Sequence, residues 1–245
     1  MYRQLKLILR SLIPVRLLYY LEPVIRKSLY FFYQGNAYQC NVCGAKLRKF
    51  ILLENNERLC TNCGSLPRTR RIYQILQNNW LVPGVRILDF SPSRSLFRKL
   101  KKTASIEYVA SDLSGDFLAD KKYDITQIEV NDASFDLVIC YHVLEHIPDD
   151  RKAIQELYRI LDRGGKCLIQ TPFKEGDIYE NPSITLPNER IRHFGQKDHV
   201  RIYSVNGLVK RLEKAGFQVE KLSFEEEYNN PNGFSEKEVV LDCKK

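Results

Sequence analysis

The chain has 245 residues, 44% of them hydrophobic and 28% charged, with seven Cys and a formal net charge of +8. This is enough apolar mass for one sizeable core plus a small appendage, and it excludes a disordered chain, a collagen repeat and a disulfide miniprotein. The charge is lopsided: residues 1–110 hold 19 Lys+Arg against 5 Asp+Glu, or +14, and residues 111–245 hold 19 against 25, or −6, so the front half is expected to meet something acidic.

Residues 1–34 form the first segment. Residues 1–33 carry six Lys/Arg and one Glu, and no uncharged apolar run approaches the roughly 20 residues of a membrane span. Arg10, Arg16, Arg26 and Lys27 interrupt every apolar stretch that a signal peptide would need. Between residues 2 and 13, helical spacing puts Arg3, Lys6 and Arg10 on one face and Leu5, Ile8, Leu9 and Leu12 on the other. Pro14 and Pro23 are expected to divide the segment. Two destinations compete: packing on the rest of the protein, or peripheral contact with an anionic membrane surface.

Residues 35–66 read as a zinc ribbon. Cys40-Asn-Val-Cys43-Gly44 and Cys60-Thr-Asn-Cys63-Gly64 repeat one pattern, with 16 residues between Cys43 and Cys60. The short loop lets backbone N–H groups point at thiolates, and the Gly that follows can take the positive φ needed to leave the turn. Between the pairs, Leu47–Leu53 looks strand-like and Asn55-Asn56 looks like a turn, giving two hairpins pinned by one metal. A redox dithiol or an iron–sulfur cluster is the competing reading. Four Cys ligands leave no open coordination position, so the zinc is structural. Free thiols used this way belong to a reducing compartment, and a cytoplasmic protein is expected.

Residues 67–245 alternate helices and short apolar runs. Helices are predicted over 67–79, 93–102, 149–161 and 204–215, and strands over 85–90, 106–111, 135–141, 166–171, 217–223 and 238–243, with Gly164, Gly165 and Gly216 at helix exits. The expected fold is α/β, a Rossmann-like doubly wound, mostly parallel sheet with ligands at the carboxyl ends of its strands. Asp89 ends the first strand, and Asp112 lies 23 residues later at the end of the second, the spacing of a ribose-binding carboxylate. Asp124 follows in Tyr-Asp-Ile-Thr.

The run Ile-Leu-Asp89-Phe, Ala-Ser-Asp112-Leu, Asp124-Ile-Thr, Ser-Phe135-Asp136 through Asp150 and Glu156-Leu-Tyr-Arg-Ile-Leu161 with a Gly pair after it resembles the class I S-adenosylmethionine-dependent methyltransferases, in particular the type 11 group. The resemblance covers residues 84–245. The whole chain is similar to bacterial members with a zinc ribbon ahead of this domain and a downstream segment that here runs Arg192-His193-Phe194-Gly195-Gln196-Lys197-Asp198-His199-Val200-Arg201-Ile202-Tyr203. It implies S-adenosylmethionine as cofactor, held by Asp89, Phe90, Ser91, Ser93, Asp112, Leu113, Asp124, Ile125, Tyr141 and His142. One departure stands out: the first loop, Asp89-Phe90-Ser91-Pro92-Ser93-Arg94-Ser95, has no Gly where the family is glycine-rich. That argues against an NAD site, whose pyrophosphate needs close backbone approach.

His142-Val-Leu-Glu145-His146 matches the H-x-x-E-H pattern of inverted zinc peptidases. Its context differs, since it follows an apolar strand directly and Pro148 closes it, so it reads as a cofactor- or substrate-facing loop. Methyl transfer needs alignment and, for a hydroxyl or amine acceptor, proton removal. His142 is the first candidate base, because an imidazole suits that task at neutral pH; Glu145, His146 and His199 are the others. The stretch 172–203 is longer than a connector requires and is expected to form the acceptor pocket or a lid. The acceptor is expected to be a small molecule, a sugar or a lipid-linked intermediate. An RNA methyltransferase using the basic front half, and a non-catalytic scaffold with a degenerate cofactor loop, are the rival readings.

Overall fold

The computed structural model describes residues 15–225 and 229–245, so the basic face expected over residues 2–13 lies outside the described residues. The chain divides into two compact units: Met1–Ile75 with Glu226–Ser235, and Leu76–Glu225 with Glu236–Lys245.

In the first unit, helix α1 (Val15–Phe31) runs through Pro23. Pro23 therefore does not divide the segment as expected: it lacks the N–H of one i→i−4 bond, yet the helix continues past it. Tyr20, Val24 and Phe31 are exposed, and helical spacing puts them on one stripe. Arg26 turns inward; its Nε donates to Glu22 Oε1 at 2.8 Å, and a Cβ on Gly64 would come within 2.7 Å of its guanidinium carbon. No helix among the described residues is long and apolar enough to cross a membrane.

Two antiparallel hairpins follow: β1 (Gln34–Gln39) with β2 (Lys46–Leu47), and β3 (Ile51–Leu52) with β4 (Arg58–Leu59). The strand expected over Leu47–Leu53 is thus two short pieces that pair with different partners, because a bend at Arg48 and irregular backbone at residues 49–50 separate the hairpins. Asn56 takes a left-handed φ of 61° at the predicted turn. Helix α2 (Pro67–Asn79) begins in this unit with Pro at its first position. Its Arg70, fully buried, donates to the carbonyls of Ser65, Arg58 and Gly233 at 2.8, 2.9 and 2.6 Å and lies 4.2 Å from the Phe50 ring centroid.

The second unit is built on a six-stranded sheet of β5 (Arg86–Phe90), β6 (Glu107–Ser111), β7 (Phe135–Tyr141), β8 (Leu161–Gln170), β11 (Gln218–Glu225) and β12 (Lys237–Lys244). Its order is β11-β12-β8-β7-β5-β6. Strands β6, β5, β7 and β8 are parallel, and β12 and β11 are added antiparallel. This is the expected α/β architecture. The central β7 is apolar on both faces, with Leu137, Val138, Ile139 and Cys140 all at 1% exposure or less, as a strand covered on both sides must be.

Helices α3 (Arg94–Leu100), α4 (Asp150–Ile160) and α6 (Val205–Glu213) match the predicted ones to within one or two residues at each end. Ser93, Asp149 and Ser204 cap them by accepting from Leu96, Lys152 and Gly207 N–H groups. Helix α4 presents Ala153, Ile154, Leu157 and Ile160 to the core, then passes straight into β8 at Leu161. Gly164 and Gly165 accordingly fall inside that strand and not at a helix exit, beside a register irregularity opposite Phe135 and Leu137.

The excursion 172–203 has structure of its own. Strand β9 (Tyr179–Glu180) pairs with β10 (Arg201–Ile202), and helix α5 (Pro187–Phe194) between them ends at Gly195 with φ 86°. Arg201, 5% exposed, fastens the excursion to the loop after β7: it donates to the carbonyls of Leu144 at 3.1 Å, Pro148 at 2.8 Å and Ile147, and pairs with Glu180 at 2.9 Å. Buried Asp150 is met by Arg211, by the Tyr203 hydroxyl and, at 3.7 Å, by Arg201. Arg201→Leu is expected to cost about 3–5 kcal/mol in urea denaturation, because it strips a desolvated charge cluster of a partner. Glu180→Gln is expected to cost less, about 1–3 kcal/mol in the same measurement, because its own side chain is 36% exposed although both guanidinium partners are largely buried.

Candidate functional site

The chain leaves β5 to form β6 on one side and later returns to form β7 on the other, so the order reverses between β5 and β7. Open α/β sheets bind ligands at such a switch point, outside the carboxyl ends of the strands. Both strands end there in a left-handed residue that is not glycine: Ser91 at φ 49° and His142 at φ 55°. Held conformations of this kind cost of order 1–3 kcal/mol and persist only where the surroundings enforce them.

Ser91 is held by its N–H to Ser111 O at 2.8 Å and by its hydroxyl, which donates to Asp112 Oδ1 at 2.8 Å. The glycine-less loop thus takes the left-handed turn on a serine, with Asp112 as the anchor. Asp112 Oδ2 accepts from Ser114 Oγ at 2.9 Å, Gly115 N at 2.6 Å and Phe117 N at 3.3 Å, leaving Oδ1 with a lone pair to spare. Leu113 and Phe117 beside it are 59% and 43% exposed, apolar surfaces of the kind a flat ring can cover.

The other residues assigned from the sequence are not all gathered here. Asp89 is 1% exposed and accepts from the Tyr108 hydroxyl at 2.9 Å; burial pushes its carboxyl up to about 8. Phe90 and Ile125 pack in the hydrophobic core, and Ser93 caps α3. Asp124 is exposed, its Oδ1 accepting from the Thr126 N–H and hydroxyl at 2.8 Å each, which holds its carboxyl below the usual range. Tyr141 is the last residue of β7, paired with Gln170.

Around His142 the structure concentrates buried polar atoms that lack hydrogen-bond partners: His142 Nε2, both Glu145 carboxylate oxygens, Gln170 Oε1 and Thr171 Oγ1. They are neighbours, since His142 N donates to Gln170 O at 2.8 Å and His142 Nδ1 lies 3.3 Å from Glu145 Oε1. Buried polar groups are normally satisfied by protein, water or a bound species, so this cluster marks a candidate site. Gln170 and Thr171 were missed in the sequence; the available signal was two polar residues closing the apolar run Cys167-Leu168-Ile169.

The H-x-x-E-H motif is not a helix face. Leu144–His146 form one 3₁₀ turn, and His142 stands outside it. His146 and buried His199 meet edge to face with centroids 4.6 Å apart, and burial pushes His199 below the ordinary imidazole value. His193 lies apart at the surface, its Nδ1 2.7 Å from the Tyr179 hydroxyl.

In the first unit, the four Cys Sγ atoms lie within 4.8 Å of one another, with Cys40 and Cys63 at 3.7 Å and Cys43 and Cys60 at 3.8 Å. The two knuckles superpose in their bonding. Gly44 N and Gly64 N donate to the carbonyls of Cys40 and Cys60, whose own N–H groups donate to Ala45 O and Ser65 O. Gly44 and Gly64 take φ of 73° and 79°.

An open, mostly parallel six-stranded sheet of this order, with its polar loops at the switch point, defines the class I S-adenosylmethionine-dependent methyltransferase fold. The chain belongs to the methyltransferase domain family, whose sequence profile matches residues 47–222. It is 32% identical over 97 residues, 40% of this chain and 34% of the other, to a Mycolicibacterium smegmatis protein named "Probable S-adenosylmethionine-dependent methyltransferase". It is 30% identical over 112 residues, 44% and 39%, to 27-O-demethylrifamycin SV methyltransferase of Amycolatopsis mediterranei. The alignments thus span a little over a third of the length of these curated relatives. Among solved structures, a SAM-dependent methyltransferase from Archaeoglobus fulgidus shares the fold with a TM-score of 0.51, at 20% identity over 72% of this chain and 94% of that one.

The raised Asp89 carboxyl makes a stability prediction. Its folded value of about 8 stands above the ordinary 3.8, so between those values the folded state holds a proton that the unfolded state has released, and stability falls as pH rises. Asp89→Asn removes that slope. The variant is expected to gain on wild type by roughly 1.4 kcal/mol per pH unit between about pH 4 and 8, read as the pH dependence of the difference in unfolding free energy; a difference that does not change with pH would refute the burial argument.

Proposed function

We propose that this chain transfers a methyl group from S-adenosylmethionine to a small-molecule, sugar or lipid-linked acceptor. The observation that carries the reading is the set of unpartnered buried polar atoms on His142, Gln170 and Thr171 at the carboxyl ends of β7 and β8, beside a switch point whose other wall is Asp112. Bound there, S-adenosylmethionine supplies an electrophilic methyl on a sulfonium. Asp112 Oδ1 takes a ribose hydroxyl on its spare lone pair, and Leu113 and Phe117 cover the base. His142 presents Nε2 to the acceptor and removes its proton. Glu145 Oε1, 3.3 Å from Nδ1, stabilises the imidazolium that results, so that the pair works as base and orienting carboxylate.

Asp112→Asn is expected to weaken S-adenosylmethionine binding at least tenfold, about 1.4 kcal/mol, in calorimetric titration. The same protein is melted without cofactor to separate a lost contact from a collapsed turn. Unchanged affinity overturns the placement of the ribose.

We further propose that Cys40, Cys43, Cys60 and Cys63 hold one structural zinc. The donor set fits, because a tetrahedral centre with Zn–S near 2.3 Å sets its sulfurs about 3.8 Å apart, the separation found for both cross-knuckle pairs. Burial holds the Arg70 guanidinium below its ordinary value, against the pull of Cys40, Cys60 and Cys63, and a four-thiolate zinc with a charge of about −2 would give it a counterion. Elemental analysis is expected to find one zinc per chain, lost together with folding of this unit in Cys43→Ser; iron in its place, or no metal, refutes the assignment.

A further inference from the structure

We propose that Glu145, His146 and His199 form a second metal centre, for a divalent first-row transition metal bound by one carboxylate and two imidazoles. A carboxylate oxygen and one ring nitrogen from each His lie within 4.8 Å of one another. The Glu145 side chain is only 2% exposed; His142 Nδ1 approaches Oε1 at 3.3 Å, neither oxygen accepts a hydrogen bond, and Oε2 faces no donor. A carboxylate removed from water without donors is costly and calls for a cation. The nearby guanidinium of Arg201 does not serve, since it is spent on Glu180, Asp150 and the carbonyls of Leu144, Ile147 and Pro148.

His146 Nδ1 lies 3.5 Å from Asp198 Oδ2, the kind of carboxylate neighbour that orients a metal-ligating imidazole. Val200 N donates to Glu145 O at 2.9 Å, tying the two segments that contribute ligands. Ligands about 2.0–2.2 Å from one ion are roughly 3.3–3.6 Å apart, so atoms already within 4.8 Å of one another need to close by no more than about 1.5 Å on loading. Three protein ligands leave positions open, as in catalytic rather than structural sites.

This deepens the proposed methyl transfer and rests on it for its role. The open positions take the acceptor's hydroxyl oxygen, which narrows the acceptor to an oxygen nucleophile. Coordination lowers the hydroxyl's pKa; its proton passes to His142 Nε2, the oxygen forms the new C–O bond, and the C–S bond breaks with its electron pair left on sulfur as a thioether.

The test uses the full chain with its ribbon zinc in place, titrated with cobalt(II) and followed by absorption. One further equivalent is expected to bind with weak d–d bands and without the intense sulfur-to-metal charge transfer that a thiolate site gives. Glu145→Gln, His199→Gln and the partly exposed His146→Ala are each expected to weaken that binding at least tenfold, with melting curves identifying any variant that fails to fold. No added equivalent in wild type, thiolate charge transfer in the added spectrum, or equal binding in a folded His146→Ala overturns the site. Calorimetry with S-adenosylmethionine on the same samples keeps the two readings apart. Cofactor binding without cobalt refutes the metal centre alone, whereas cobalt binding without cofactor supports the centre and removes its role in methyl transfer.

Discussion

The arrangement of the candidate site depends on a charge that the fold has taken out of water. Arg201, on the short strand β10, places its guanidinium among three main-chain carbonyls of the loop after β7 and shares two carboxylates with Arg211. Such a cluster is weak evidence for stability, because desolvation offsets much of the attraction. Its value here is positional. The carbonyls it holds flank Glu145 and His146, and two residues before it in the chain is His199. One side chain therefore brings together a strand-end loop and a distant excursion, and the chemistry of both becomes available at one place.

The fold was legible because its strands are buried on both faces and its helices are capped. Phe135–Tyr141 was read to the residue, since an uninterrupted apolar run bounded by polar turns has few other destinations. Helical periodicity places three helices to within a residue or two, and the structure shows why they start where they do: Ser93, Asp149 and Ser204 cap them. The sequence marks 172–203 as longer than a connector requires, an acceptor pocket or lid, but shows none of the elements inside it. Its strands are two residues each, and a long-range salt bridge holds them, which leaves no periodic trace in a sequence. Helix α1 runs through Pro23, since a proline removes one hydrogen bond of the ladder and the turns on either side keep theirs.

The site was legible in part. The spacing from Asp89 to Asp112 puts both carboxylates at strand ends, but does not show that one is sealed against Tyr108 while the other organises a turn. Ser91 illustrates the limit. A missing glycine looked like a missing conformation, yet serine reaches the same φ when its hydroxyl has an acceptor waiting. Gln170 and Thr171 lie at the end of an ordinary strand, and only unsatisfied atoms single them out. The front-half charge also changes meaning: Arg26 and Arg70 are buried within the first unit, so part of an excess that reads as attraction for an acidic partner is internal.

The first unit is discontinuous in sequence. Arg70 needs the carbonyl of Gly233, Arg58 donates to Phe234 O, and Gln39 N donates to Pro231 O, although well over a hundred residues intervene between the two parts. Synthesis proceeds from the amino end, so the knuckles emerge from the ribosome long before the segment that completes them. Until then a deeply placed guanidinium lacks one of its acceptors. The front of the chain consequently waits on residues 231–234, and a fragment cut after the ribbon omits a part of the unit it was meant to isolate.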